Sequence, residues 1–217
     1  MKMMKKVLAF FGAFNPPTIA HLQLAELAMR STGRDGVIFV PSRMDYIRYE
    51  QQKDYAYTDE QRLAMLMLAA RERSWMEVCG WELEQARQPR TYETLCHLRE
   101  EGYQPSLLMG SDKLPELRDG WLFVEEIVRE FGIVCLAREE DDVKKMILED
   151  PYLNTLKDGI TPVVSPEETR QISSSAVRKK IRKIRELEEE IGGMLSPEIR
   201  DYLLKDPVRP LCEERKS

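Results

Sequence analysis

The strongest constraint on the fold is a rhythm of short apolar runs separated by stretches of helical patterning. VLAFF (Val7 to Phe11) precedes a helical stretch from about Ile19 to Met29, and VIFV (Val37 to Val40) follows it. Strand, helix and strand at this spacing form a βαβ unit, and its repetition implies a parallel sheet covered by helices. Thr58 and Gln61 make a Thr-x-x-Gln capping box that opens an apolar-rich helix to about Arg73. A short strand at Met76 to Val78 comes next, then a helix over Tyr92 to Glu101 and the strand SLLMG (Ser106 to Gly110). A helix over Phe123 to Glu130 and the strand GIVCLA (Gly132 to Ala137) continue the pattern. After a polar break at Arg138 to Asp142, a helix to about Glu149 leads through Pro151 to a last strand, Thr161 to Val164. The expected class is α/β, a doubly wound parallel sheet.

The C-terminal part reads as helical, from Ser174 to about Glu190 and from Ser196 to Lys205, where Ser196-Pro197 is an N-cap followed by proline at the first helical position. With 217 residues, a single domain over 1–205 is expected, its helical part at about 174–205, and the polar tail 206–217 with Pro207 and Pro210 is expected to fray. Hydrophobic residues make up 42% and charged residues 33%, an ordinary globular balance. No run approaches the roughly 20 apolar residues that span a bilayer. A net charge of -5 leaves no overall electrostatic footprint for nucleic acid, so any anion site is local. Cys79, Cys96, Cys135 and Cys212 show no C-x-x-C spacing, which fits reduced thiols in a cytoplasmic protein, with Cys79 and Cys135 packing at strand positions. The lysines and VLAFFGAF near the N-terminus are too short an apolar run for a secretory signal.

In an open parallel sheet, ligands collect beyond the carboxyl ends of the strands. The segment after the first strand is GAFNPPTIAH. Gly12 lets the backbone approach a phosphate closely, Pro16 and Pro17 stiffen the loop, and Thr18 can cap the helix beginning near Ile19. His21 then lies in the first turn, where the helix N-terminus and an imidazole can face one anion together. Taken alone, this segment also fits a plain strand-to-helix turn. The second constellation is ISSSAVRKKI, where Ser173, Ser174 and Ser175 open a helix with Arg178 one turn in. Free N–H groups, hydroxyls and a guanidinium together cradle phosphate. The later lysines and arginines, balanced by Glu186 to Glu190, read as a solvated face, and aromatic residues that would favour nucleic acid are absent from the run.

These strings resemble the two signatures of the nucleotidyltransferase superfamily. Gly12, Phe14, Asn15, Pro16, Thr18 and His21 match Gly-x-Phe-(Asn/Asp)-Pro and (His/Thr)-x-x-His, while Ile172 to Arg178 is similar to Ile-Ser-Ser-Thr-x-x-Arg with Ser175 in the threonine's place. Thr18, where many bacterial members carry histidine, resembles the eukaryotic-type nicotinamide/nicotinate mononucleotide adenylyltransferases. The resemblance runs from Val7 to about Lys205 and implies a Rossmann-like fold. Gly110 and Asp112 in LLMGSD look like the family's Gly-(Ala/Ser)-Asp, whose carboxylate contacts the adenosine ribose; Asp112 otherwise reads as a helix cap. Trp81-Glu82 resembles the family's Trp-Glu element, and Trp121 looks like the tryptophan that stacks on the pyridine ring; either tryptophan alone also fits a core position. Thr91 in Thr91-Tyr92-Glu93-Thr94-Leu95 is similar to the threonine beside the pyridine ring, and otherwise reads as the N-cap of the helix at Tyr92. Arg48, in the long loop Pro41 to Tyr57 with Arg43 and Lys53, stands where eukaryotic-type members bind the mononucleotide phosphate by a lysine. His97 is read as structural.

The resemblance implies direct attack of the mononucleotide 5′-phosphate on the α-phosphorus of ATP, yielding a dinucleotide and pyrophosphate. The expected partners are ATP and a pyridine mononucleotide, with no nucleic acid or membrane, and a homo-oligomer is allowed. Mg2+ is expected to ride on the ATP phosphates, with no protein metal cage. His21, Thr18 and Arg178 would serve the chemistry; Gly12, Phe14, Asn15, Gly110, Asp112 and Ser173 to Ser175 would hold ATP; Trp81, Thr91, Trp121 and Arg48 would hold the mononucleotide. The alternatives are a relative acting on another phosphorylated small molecule, and a regulator that keeps the fold without turnover.

Overall fold

A computed structural model of the chain describes residues 4–50, 57–137, 141–165 and 194–205. Six strands form one sheet in the order β3-β2-β1-β4-β5-β6: β1 (Lys5–Gly12), β2 (Gly36–Pro41), β3 (Met76–Val78), β4 (Tyr103–Gly110), β5 (Ile133–Leu136) and β6 (Ile160–Val163). β1 pairs in parallel with β4 from Lys5↔Tyr103 to Phe10↔Leu108, β4 with β5 from Leu107↔Ile133, and β5 with β6 from Ile133↔Ile160. Such strands are covered on both faces, which explains why they read as unbroken apolar runs instead of alternating ones. Every residue of β2 and β5 is buried. The strand order reverses between β1 and β4, the switch point at which doubly wound sheets bind ligands. Gly12 ends one of these two strands and Gly110 the other.

The chain divides into two compact units. One comprises residues 1–11, 23–38 and 89–170; the other comprises 12–22, 39–88 and 171–217. In the first unit lie α4 (Thr91–Glu100), α5 (Val124–Glu130), α6 (Val143–Glu149) and α7 (Pro151–Thr155). Gly102 (φ +91°) and Gly132 (φ +73°) end α4 and α5, in the left-handed conformation that a side chain resists. Ser106, polar on a buried strand, is satisfied on both sides: it accepts from Arg34 Nη2 (2.9 Å) and donates to the Phe131 carbonyl (2.6 Å).

The other unit holds α2 (Asp59–Arg71), α3 (Trp81–Glu84) and α8 (Pro197–Lys205), and the helix α1 (Ile19–Ser31) begins in it. The capping box of α2 forms as the sequence predicts: Thr58 N–H donates to Gln61 Oε1 (3.0 Å) and Gln61 N–H to Thr58 Oγ1 (3.3 Å). α8 starts after Ser196 with Pro197 leading, and packs against α2, where Arg73 pairs with Glu198 at 2.8 Å.

Several local expectations are revised. α4 begins at Thr91, with Arg90 in the capping position and its N–H held by the Glu93 carboxylate (2.7 Å), so Thr91 is the first helical residue and not the cap. The 3-10 segment Ser111–Leu117 starts after Gly110, which places Asp112 inside its first turn and not at its cap. Asp150 accepts from the N–H groups of Tyr152 (2.9 Å) and Leu153 (3.0 Å) and starts α7, a helix of five residues too short to show a period. Part of the loop after β2 is a π-helical turn, Tyr46–Glu50. Cys135 sits in β5 as expected, whereas Cys79 follows the end of β3. The expected helix Ser174 to Glu190, the second signature Ser173 to Arg178, Lys53 and the tail 206–217 lie outside the described residues.

Candidate active site

The segment after β1 folds inward. Phe14 has φ +42°, uncommon for a residue with a side chain, and is 2% exposed. Its ring meets His21 edge-on (centroids 5.4 Å) and packs against Phe39 (5.3 Å). Gly12 has a steric reason to be glycine, because a β-carbon there would stand 3.1 Å from Phe14 Cζ. Asn15 is 1% exposed, precedes a cis peptide bond to Pro16, and accepts from the Tyr57 N–H at 2.8 Å. The side chains of Phe14 and Asn15 are therefore committed inside the protein.

At the start of α1, the Thr18 backbone N–H donates to His21 Nδ1 (3.0 Å), and Thr18 Oγ1 lies 2.7 Å from the same nitrogen. A backbone N–H can only donate, so Nδ1 carries its lone pair and the neutral ring holds its proton on Nε2. The arrangement mimics a capping box with imidazole as the reaching side chain. Thr18 is fully buried and its hydroxyl faces the imidazole, while the Ile19 N–H donates to the Met194 carbonyl (2.9 Å). Two donors of this helix start are thus engaged within the protein, and the His21 ring beside them is half-buried.

One residue of this site escaped sequence reasoning. Arg62 is 0% exposed, and its guanidinium donates to the carbonyls of Ala13 (2.7 Å), Ser42 (2.5 Å) and Tyr57 (3.3 Å) and pairs with Asp59. Burial pulls its pKa down, and the neighbouring Asp59 carboxylate opposes that shift. The signal was present: Arg62, Met65, Leu66 and Ala69 are the buried face of α2, spaced as an apolar stripe that begins with a charge.

The Trp81 turn is braced from β2's end. Arg43 Nη1 donates to the Leu83 carbonyl (3.2 Å) and to that of Gln85, and Arg43 N–H donates to Gln88 Oε1 (2.8 Å). Gln88 Nε2 in turn donates to Glu82, 1% exposed, at 2.5 Å. Trp81 itself is half-buried at the first position of α3, and Arg48 is half-buried in the π-helical turn. In the other unit, Gly110 leads into buried Ser111, whose hydroxyl donates to Asp141 (2.6 Å), and Asp112 is exposed beside it. Thr91 and Trp121 are half-buried there. The helix start and the turn that carry them are joined where Tyr92 stacks on Phe123 (5.2 Å, 28°), a residue in left-handed backbone (φ +63°). Among the described residues no group of three or more His, Cys, Asp or Glu stands together as a metal cage.

The cytidylyltransferase-like family matches residues 9–180. A nicotinamide/nicotinic acid mononucleotide adenylyltransferase of Oryza sativa is 32% identical over 193 residues, covering 82% of this chain and 76% of that protein. The Arabidopsis thaliana protein of the same description is 31% identical, covering 80% and 78%. The chain belongs to the nicotinamide/nicotinic acid mononucleotide adenylyltransferase family, within the cytidylyltransferase-like proteins. Its fold agrees with that of a Plasmodium falciparum nicotinic acid mononucleotide adenylyltransferase complexed with APC, at a TM-score of 0.71, 20% identity, and coverage of 94% and 96%. For this adenylyltransferase-family chain the family match takes in both signatures, Gly12 to His21 and Ser173 to Arg178. Among the described residues no helix is long and apolar enough to cross a membrane.

Proposed function

We propose that the chain transfers the adenylyl group of ATP to nicotinamide mononucleotide or nicotinic acid mononucleotide, forming NAD or its deamido form and pyrophosphate. The observation that carries this reading is the locked imidazole: Thr18 N–H fixes His21 Nδ1 as acceptor, which puts the ring's proton on Nε2 in the first turn of α1. A neutral donor held by the fold suits stabilisation of charge on a phosphoryl group in flight, and it needs no covalent nucleophile. In this scheme the mononucleotide phosphate oxygen attacks the α-phosphorus in line, the bond to the β-phosphate oxygen breaks, and pyrophosphate leaves with that electron pair. Arg178 and the hydroxyls of Ser173, Ser174 and Ser175 would hold the leaving pyrophosphate. Gly12 to Asn15 and Gly110 would offer backbone to ATP, and Asp112, exposed after β4, would take the ribose hydroxyls.

Trp81, Thr91, Trp121 and Arg48 would take the mononucleotide, the tryptophans through their flat faces. Magnesium would be carried mainly by the ATP phosphates and water. Free thiols at Cys79, Cys96 and Cys135 are in keeping with a reducing, cytoplasmic setting.

Incubation of the pure protein with ATP, magnesium and each mononucleotide tests the reading through pyrophosphate release and dinucleotide formation. We expect both products, with the amide used at least as well as the acid. No pyrophosphate with either substrate would overturn the function. A preference for the acid above about tenfold in kcat/KM, roughly 1.4 kcal/mol, would overturn the resemblance to the eukaryotic-type branch.

A further inference from the structure

We infer that the pair of buried Arg62 and partly exposed Asp59 at the start of α2 is a positioning device for the reaction, which fixes the phosphate-facing loop and both ends of the loop after β2 to one point. This inference rests on the proposed adenylyl transfer and adds residues that do not touch the substrates. The loop Gly12 to Thr18 contains two prolines and so has fewer N–H groups with which to hold itself. Arg62 supplies what the loop lacks by donating to Ala13 O, immediately before the left-handed Phe14. The same guanidinium holds Ser42 O, where the loop after β2 begins, and Tyr57 O, where it ends. Asp59 Oδ1, besides pairing with Arg62, accepts the Met44 N–H at 2.7 Å. Tyr57 closes the circuit by donating its N–H to Asn15 Oδ1. A planar fork with several fixed donors can satisfy these diverging carbonyls, which an ammonium on a flexible stem cannot.

The pose of His21 depends on this network through Phe14, whose ring lies edge-on to the imidazole. A bare apolar stripe on α2 would bury its face equally well, so a charge kept there, fully desolvated and paired, marks a demand for geometry.

The test uses the full-length protein with Arg62→Lys, Arg62→Ala and Asp59→Asn, each checked by circular dichroism to be folded at the assay temperature. For Arg62→Lys we expect kcat to fall at least about 30-fold while KM for ATP and mononucleotide changes less than about threefold, since misplacement by about 1 Å can cost roughly 100-fold. Ethylguanidinium should restore at least about tenfold of the kcat lost in Arg62→Ala, by refilling the buried site with the same donors. Asp59→Asn keeps an oxygen for the Met44 N–H but removes the charge, and should lower kcat by at least about fivefold.

A readout independent of turnover comes from the imidazole 15N shifts. The chain has only two histidines, so His97→Asn assigns the His21 signals. We expect the His21 signature to move in Arg62→Lys and in Asp59→Asn while that of His97 stays. Folded Arg62→Lys with kcat within about threefold of the parent, or a rate loss that merely tracks the unfolded fraction, would overturn the inference. Unchanged His21 signals would overturn it even if the parent protein shows no adenylyl transfer, a result that would by itself remove only the proposed function.

Discussion

Replacing Gly12 with alanine separates two accounts of why this position lacks a side chain. A β-carbon there would stand 3.1, 3.3 and 3.4 Å from the Cζ, Cε1 and Cε2 atoms of Phe14. The ring has little room to retreat, because it is 2% exposed and lies against His21 and Phe39. A shift of a few tenths of an ångström relieves the contact, which puts the cost toward the lower part of the about 1–3 kcal/mol typical of overpacking. At about 1–2 kcal/mol, the melting temperature of a domain this size should fall by roughly 2–8 °C. The displaced ring should carry the His21 imidazole with it, so kcat is expected to drop by about 10- to 100-fold in protein that is still folded. Phe14→Leu removes the atoms that clash. Adding Gly12→Ala to Phe14→Leu should therefore cost little further rate relative to Phe14→Leu alone, and a double-mutant cycle on stability should show a coupling of about 1 kcal/mol or more. Calorimetry and steady-state kinetics on the four proteins decide it. If Gly12→Ala melts within about 1 °C of the parent, the steric argument is wrong. If Gly12→Ala slows the Phe14→Leu protein as much as it slows the parent, the added methyl obstructs the ligand and not the ring.

Three further outcomes are expected. His21→Ala should fold normally and lose at least about 100-fold in turnover, as removal of one transition-state donor costs roughly 3 kcal/mol, and near-normal turnover would remove His21 from the chemistry. Thr18→Val deletes the hydroxyl beside Nδ1 but keeps the backbone N–H, so kcat should fall only about 2- to 12-fold, the equivalent of one hydrogen bond of about 0.5–1.5 kcal/mol; a loss as large as that of His21→Ala would mean the hydroxyl itself meets phosphate. Burial, with Asp112 and Asp141 nearby, pushes the Cys135 thiol up to about 12, so its thiolate is scarce below that pH and a disulfide reagent at mildly alkaline pH should label Cys79 and Cys96 first. Mass mapping that finds Cys135 labelled as fast as Cys79 in native protein would refute this.

The sheet was legible because parallel strands covered on both faces must be apolar throughout, so VLAFF, VIFV, LLM and IVCL announce themselves. The start of α2 was legible for a different reason, since its capping box is a fixed spacing of two residue types. The first signature marked a segment, and the structure adds how that segment packs: Phe14 and Asn15 are buried, and Gly12 lies against the Phe14 ring. That packing is not legible in a motif, which specifies residue types and not whether they face outward or into one another. The starts of α4 and of the Ser111–Leu117 segment were each misplaced by a residue or two, because backbone and neighbouring side chains can satisfy the first N–H groups without a capping hydroxyl. Phe123, which opens α5 from left-handed backbone, has no sequence signal at all, since that conformation ordinarily calls for glycine or asparagine.

Arg62 shows how a missed residue of this kind can be found. A fully buried guanidinium costs several kcal/mol in desolvation, which is offset only when its donors are met and its charge is paired. An arginine that occupies a core position of an amphipathic helix must therefore be gathering acceptors from several segments. The segments with acceptors to spare are irregular ones, whose carbonyls lack ladder partners. Here they are the turn after β1 and both ends of the loop after β2. Charge on the apolar stripe of a helix is thus a sequence-level marker for loops that must be held still, and in this chain those loops include the one that carries Thr18 and His21.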